Sequence, residues 1–200
     1  MLIRGYLFSF LLLPVALLGQ SSGGPVPQIS VRSLTIDCAG CQLAQQDQQQ
    51  IIEAVKSHTY RPDSLNEIAQ RVRYGFQSRG YFKVVVSEPS IALLGRGAAD
   101  EEANVTVSVT EGEKYQLEDI VFTGNTVFPT AELRSKFNLA PGDVFDVDKV
   151  RRGLELLQEL YASKGYERFA PVPITNVNDN KHTISLHIQI EEGDRGTTGG

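Results

Sequence analysis

The chain has no tryptophan, one methionine, three histidines and two cysteines in 200 residues. So sparse a set of Cys and His builds no closed four-ligand array for structural zinc. Positive charge is also scarce, with 19 Lys and Arg against 24 Asp and Glu and a net charge of −5. Arg4 is the one charge in residues 1–20, so the rest of the chain stands near −6 (−5 minus +1). A broad nucleic-acid binder needs a basic face to neutralise phosphates, and that class is excluded. Long apolar runs are absent too. Gly5–Leu18 is 14 mostly apolar residues, short of the ~20 that a transmembrane helix needs. What is present is 41% hydrophobic and 22% charged residues, a composition that folds around a core.

Met1–Arg4 is short and basic, and Gly5–Leu18 follows it as an apolar stretch. This is the pattern of a secretory signal, with cleavage expected near Gly19 or Gln20 and an uncleaved anchor as the competing reading. No cysteine follows directly to carry a lipid. Residues 21–28 (SSGGPVPQ) read as a linker. The expected compartment is therefore outside the cytoplasm.

The rest of the sequence is a repeat. Ser78-Arg79-Gly80-Tyr81-Phe82 recurs as Ser163-Lys164-Gly165-Tyr166-Glu167, an offset of 85. At the same offset Tyr60 meets Phe145, Val72 meets Leu157 and Phe76 meets Tyr161. Leu34-Thr35-Ile36 meets Ile120-Val121-Phe122 at 86, and Glu111-Gly112 meets Glu192-Gly193 at 81. Two modules follow, residues 29–113 and 114–193, abutting without a linker and so set at a fixed or semi-rigid angle. Residues 194–200 are expected to form a flexible tail.

Each module reads β-α-α-β-β. First strands are expected at Ile29–Ile36 and Tyr115–Phe122, and first helices near Ala44–Ser57 and Thr130–Phe137. In the second helix of module one, Ser64 and Glu67 have capping-box spacing, and Leu65, Ile68, Val72 and Phe76 form an apolar stripe. In module two Asp146 is the expected N-cap, with Val150, Leu154, Leu157 and Tyr161 as the stripe. Gly80 and Gly165 stop these helices. The last strands alternate apolar and polar residues around Val105–Thr110 and Ile184–Ile190, one face buried and one wet.

The stretch Phe122-x-Gly124-Asn125-x-x-Phe128, the turn around Pro141-Gly142-Asp143 and the helix end Tyr161-x-x-Lys164-Gly165-Tyr166 together resemble the POTRA (polypeptide-transport-associated) domain. The likeness is to the periplasmic repeats of BamA-type outer-membrane assembly factors. It covers Gln116–Glu192 well. Module one, with Gly80-Tyr81 at its helix end, matches more loosely and has Asp37-Cys38-Ala39-Gly40-Cys41 in place of the first loop. The resemblance implies an α+β fold of two tandem modules, each a three-stranded mixed sheet with two helices on one face. It also implies an exported protein of the periplasm, associated with the outer membrane, that guides barrel proteins. Its expected partners are unfolded outer-membrane β-barrel proteins, or a separate barrel subunit or assembly complex. Membrane contact would be indirect, and no cofactor is implied. Family members usually carry a barrel, and the eight residues after Glu192 are too few for one.

An open sheet edge can take up an extended chain through backbone hydrogen bonds, which suits diverse unfolded clients. Pro171 and Pro173 remove two donors from one side of module two's middle strand in sequence. Lys83-Val84-Val85-Val86-Ser87 keeps its donors. The expectation is that Lys83–Ser87 accepts the client strand and module two positions it; the plain alternative is a buried strand ending at Pro89.

Cys38-x-x-Cys41 sits between a strand and a helix. In an exported protein it reads as a structural disulfide, with a redox or metal role as the alternative. His58, His182 and His187 are scattered and read as surface residues. Asp146 and Asp143 are explained by capping and turn chemistry better than by a calcium loop. Gly95–Ala99 and Asp100–Glu102 are expected to form a polar, mobile loop. With no catalytic constellation, the chain reads as a binding or scaffold protein. A membrane-anchored scaffold of cell-division type and a CxxC thiol-disulfide oxidoreductase are its rivals.

Overall fold

The computed structural model describes residues 27–95 and 100–196. The expected signal segment and residues 197–200 lie outside the described residues, as do all but 27–28 of the linker. Module one runs β1 (Gln28–Asp37), α1 (Gln45–Lys56), β2 (Thr59–Tyr60), α2 (Glu67–Gln77), β3 (Val85–Val86), β4 (Ser90–Leu93) and β5 (Asp100–Thr110). Module two runs β6 (Gln116–Thr123), α3 (Thr130–Arg134), α4 (Val147–Ala162), β7 (Ala170–Asn178) and β8 (Thr183–Glu191).

Both sheets are mixed. In module two the order is β6-β8-β7, with β6 parallel and β7 antiparallel to the central β8. In module one the central strand is β5, parallel to β1 and antiparallel to both β3 and β4; β2 adds to the far side of β1. The α+β repeat expected from sequence is therefore present, with two short strands added to the first sheet.

The first strand of each module carries a bulge, between Val31 and Ser33 in β1 and between Leu117 and Asp119 in β6. The extra residue resets the two-residue alternation. Val31, Leu34 and Ile36 thereby share one face, as do Leu117, Ile120 and Phe122. Each face meets the apolar side of the central strand, Val105 and Val107 in one module and Ile184, Leu186 and Ile188 in the other. The helices close these cores with Ile51, Val55, Ile68, Val72 and Phe76 in module one, and with Leu133, Val150, Leu157 and Tyr161 in module two.

Several local expectations change. Ser64 and Glu67 form no capping box for α2. Ser64 ends a 3-10 turn, Pro62–Ser64, and its Oγ accepts from the Arg61 amide at 3.2 Å. α3 stops at Arg134 rather than Phe137, because the following tighter turn (Lys136 N to Leu133 O, Phe137 N to Arg134 O) drives Phe137 into the core. Asp100–Glu102 belong to β5, not to a loop, and residues 96–99 lie outside the described residues. Asp146 caps α4 as expected, accepting from the amides of Asp148 at 2.8 Å and Lys149 at 3.2 Å.

Candidate functional site

The loop between the first strand and first helix is tied down by a carboxylate in both modules. Glu192, just after β8, accepts from the amides of Thr126 at 2.7 Å and Val127 at 2.9 Å, from the Thr126 hydroxyl, and from Tyr161 Oη at 2.9 Å. Burial pushes its pKa up, but these hydrogen bonds outweigh that and hold it below the ordinary value. After β5, Glu111 ties down the loop of module one, accepting from the amides of Gln42 at 2.6 Å and Leu43 at 2.8 Å. The Glu-Gly pair was visible in the sequence as part of the repeat; its role needed the fold.

Inside that shared frame the loops differ. In module two Gly124 has φ +82°, and a Cβ there would lie 2.5 Å from Ile190 O. Asn125 Nδ2 donates to Phe128 O at 2.9 Å, and the Phe128 ring packs edge-on to Tyr161, 4.9 Å between centroids. Phe122 is buried against Phe137, and Tyr161 also meets Tyr166. In module one the Cys38 and Cys41 sulfurs are bonded, with 5.5 Å between Cα atoms, and this link takes the place of the asparagine tether.

The outer edge of module one is short and broken. Of Lys83–Ser87 only Val85 and Val86 lie in a strand, because Val84 N donates to Tyr81 O in the turn that leaves α2. Val84 and Val86 are buried and Val85 is 62% exposed. Val85 and Val86 face Thr110 and Val109; Ser90–Leu93 face Thr106–Ala103. Between them, three edge residues (87–89) oppose two of β5, a bulge that accommodates Pro89. Ser87 N donates to Ser108 O and Leu94 N to Glu102 O. Backbone groups alternate sides along a strand, so Ser87 and Val85 point at β5 while Val86, Ile91 and Leu93 point outward. The strand continuing the edge after Pro89 was not anticipated; the proline concealed it.

Module two's edge is β7. Gln116 N donates to His182 O, which fixes the even residues of β8 toward β6 and its odd residues toward β7. The register then turns Ala170, Val172, Ile174 and Asn176 toward β8, and Pro171, Pro173, Thr175 and Val177 outward. The two prolines blunt the first half of the edge, while Thr175 and Val177 keep their donors.

Two carboxylates of module two hold the junction. Asp148 Oδ1 accepts from Tyr74 Oη at 2.7 Å and from Arg151 at 2.6 Å, and Arg151 Nε donates to Tyr74 Oη at 3.0 Å. Arg151 and then Tyr74 draw the Asp148 pKa down. Asp179 Oδ1 accepts from Lys83 Nζ at 2.5 Å and from Tyr115 Oη at 2.7 Å, and its pKa is lowered by the same two partners in that order. Phe82 packs edge-on to Phe145 at 5.5 Å between centroids. Gly80 stands at the centre with φ +94°, its carbonyl accepting from Tyr115 N at 2.9 Å; a Cβ there would lie 2.6 Å from Val144 Cγ1. Gly165 and Gly142 also have positive φ, ending α4 and turning the chain before Asp143, whose Oδ2 accepts from Ala140 N at 2.8 Å.

His58 and His182 are exposed, and His187 is partly covered beside the Thr123 hydroxyl at 2.8 Å. Among the described residues no group of three His, Cys, Asp or Glu could hold a metal ion, and no helix is long and apolar enough to cross a membrane.

The chain matches the POTRA family, described as surface antigen variable number repeat, over residues 42–112 and 115–193. It is 24% identical over 134 residues to outer membrane protein assembly factor BamA of Buchnera aphidicola subsp. Acyrthosiphon pisum, covering 66% of this chain and 21% of that protein. It is 22% identical over 150 residues to the BamA of Neisseria meningitidis serogroup B, covering 70% and 18%. The chain thus spans about a fifth of the length of the curated relatives it matches. The crystal structure of Haemophilus influenzae BamA POTRA3-5 superposes with a TM-score of 0.62 at 18% identity, covering 86% of this chain and 74% of that one. BamA from Haemophilus ducreyi lacking POTRA domains 1-3 gives 0.57 at 16%, covering 81% and 29%. With two consecutive matches, a sheet order repeated in both halves and the same glycine-ended helices, this chain belongs to the POTRA family.

Proposed function

We propose that the chain is a non-enzymatic scaffold of the bacterial periplasm that helps outer-membrane β-barrel proteins assemble by receiving an extended client strand on the outer edge of module one. The observation that carries this reading is the row of outward backbone groups at Val86, Ile91 and Leu93. Such a row offers affinity without demanding a side-chain sequence. The relatives' name, outer membrane protein assembly factor, supplies the client class. The edge Lys83–Ser87 enters the proposal in altered form: Lys83 and Val84 anchor its start, and Ser90–Leu93 extend it past the bulge.

Photo-crosslinking in cells that export the protein tests the proposal, with probes at positions 85 and 172. Adducts to unfolded outer-membrane proteins or to a barrel subunit, stronger from 85, support it. Adducts only to division or cell-wall proteins would move the protein to a different scaffold. The matching proline variant belongs at Leu93. Val85 N–H faces β5, so proline there would break the native ladder. Leu93 N–H faces outward and its side chain is 51% exposed, so Leu93→Pro removes a client donor and leaves the β4–β5 pairing whole. Client adducts should fall several-fold in that variant.

A further inference from the structure

The protein is acidic overall, yet cations crowd two adjoining grooves. One groove, of about 710 Å³, lies between α1 and α2, and a smaller one, of about 350 Å³, lies beside α4. Asp148 lines both, so they meet at the junction of the modules. Three arginines line the first groove and four Lys and Arg the second, against two carboxylates, Glu67 and Asp148. Some of these cations are spent within the chain, Arg79 on Asp47, and Arg151 and Arg152 on Asp148 and Glu155. Arg71, Arg73, Lys136 and Lys149 form no ion pair among the described residues. Arg73 donates to Gln70 Oε1 at 2.6 Å. Arg71 lies over the Tyr60 ring, 5.9 Å from its centroid, and its buried Nε has no hydrogen-bond partner among the described residues. A buried cationic N–H without an acceptor is costly until an anion supplies one.

We infer that the two grooves form one docking surface for an acidic amphipathic helix of a partner protein. The α1–α2 groove holds an apolar strip, Ile51, Ala54, Gly75 and the ring of Tyr74, which is 39% exposed. Gly75 lets the two helices close up: a Cβ there would lie 2.6 Å from Ile51 Cγ1. Two helices in contact present ridges and a groove against which a third helix packs. Along α2 the groove runs from Glu67 to Ser78, about 16 Å or three helical turns. A partner helix with apolar residues at every third or fourth position covers the strip. Carboxylates on its flanks reach Arg71 and Arg73, and its continuation past Asp148 meets Lys136 and Lys149. Charge complementarity of this kind selects the partner and steers its approach. An anionic lipid surface could answer the cations, but a flat surface would leave the concave apolar strip uncovered. The grooves lie on the helical faces of the modules, so the inference is independent of strand addition at a sheet edge.

The test uses the whole chain and two synthetic helical peptides of about 18 residues, ~27 Å at 1.5 Å per residue. Both carry a stripe of leucine and alanine, flanked by glutamates in one and by lysines in the other. The glutamate peptide is expected to bind at least about tenfold more tightly at low salt, with the advantage shrinking as salt is added. Its binding should shift the amide signals of Ala54 and Gly75 and leave those of β7 in place. Arg71→Glu combined with Arg73→Glu should reverse the preference, so that the lysine peptide binds better, a result that loss of folding does not produce. Lys149→Glu, at an exposed position of α4, should weaken the glutamate peptide several-fold and keeps the test open if the double variant fails to fold. Equal affinities for the two peptides, or shifts that avoid α1 and α2, overturn the inference. Phosphatidylglycerol vesicles serve as the control. Vesicle binding that is lost in Lys149→Glu, with no binding of the glutamate peptide, would assign the surface to a membrane and overturn the helix.

Discussion

The two modules close the same loop by different means. Module two threads Gly124 past the Ile190 carbonyl, ties Asn125 to Phe128 O, and packs Phe128 edge-on against Tyr161. Module one has neither asparagine nor phenylalanine there and joins Cys38 to Cys41 instead. Both retain the carboxylate, Glu111 or Glu192, that receives two loop amides. The common element is the demand of the loop's N–H groups for an acceptor. What varies is how the loop's conformational entropy is limited, by packing in one case and by a covalent link in the other.

That comparison can be broken at its strongest point by Gly124→Ala. The variant combines a left-handed backbone with a clash against backbone oxygen, a cost of about 3 kcal/mol to module two. Gly40→Ala, at φ +75° but with nothing within 4 Å of the added Cβ, should cost only about 1 kcal/mol. Urea unfolding followed residue by residue by NMR separates the two modules; equal costs would mean that the close approach to Ile190 is not the constraint.

Next in size is the disulfide. Replacing Cys38 and Cys41 by serine should destabilise module one by about 2 kcal/mol, the loop-entropy value for so short a ring. Module two should be unaffected, and reductant should reproduce the effect in the parent protein but not in the variant.

Glu192→Gln should cost module two about 1.5 kcal/mol, since charge-assisted bonds become neutral ones. Its pH dependence sharpens the point. The folded pKa of Glu192 lies below the ordinary 4.5, so its stabilisation is complete above 4.5 and is lost as pH falls through the lower folded value. Acid titration of module two should therefore be shallower in Glu192→Gln than in the parent; equal slopes would place the acid sensitivity elsewhere.

The smallest effect on stability is expected at the junction. Tyr74→Phe should cost about 0.5 kcal/mol, yet it should broaden the relative orientation of the modules, and adding Asp179→Asn should broaden it further. Residual dipolar couplings measured on both modules would register this, and unchanged couplings would assign the orientation to Gly80 and the Phe82–Phe145 contact alone.

Much of the fold was legible because local chemistry repeats. The apolar residues of the α2 and α4 stripes recur every three or four positions, Asp146 has the short acceptor that an N-cap needs, and Gly80 and Gly165 supply the left-handed step after each helix. These signals act within a few residues of one another. Ser64 misled for the same reason: its spacing to Glu67 is right, but a 3-10 turn led by Pro62 captures it first. α3 misled because a helical pattern persists through Phe137 while burial of that ring requires the chain to turn earlier.

The candidate site was half legible. Residue order alone shows that Pro171 and Pro173 take two donors from one strand of module two, since proline carries its deficiency wherever it lies. It also determined two β-α-α-β-β units and the positions of their helix ends, because capping and periodicity are set by neighbours in the chain. Which donors face outward, at Val86, Ile91, Leu93, Thr175 and Val177, was set by strand pairing in the folded chain. That depends on the register with β5 and β8, and one extra residue in a bulge reverses every assignment beyond it. Folding alone brought Lys83 to Asp179 and Tyr74 to Asp148. A charged side chain finds its partner across the fold, and nothing in its local sequence names a residue 96 positions away.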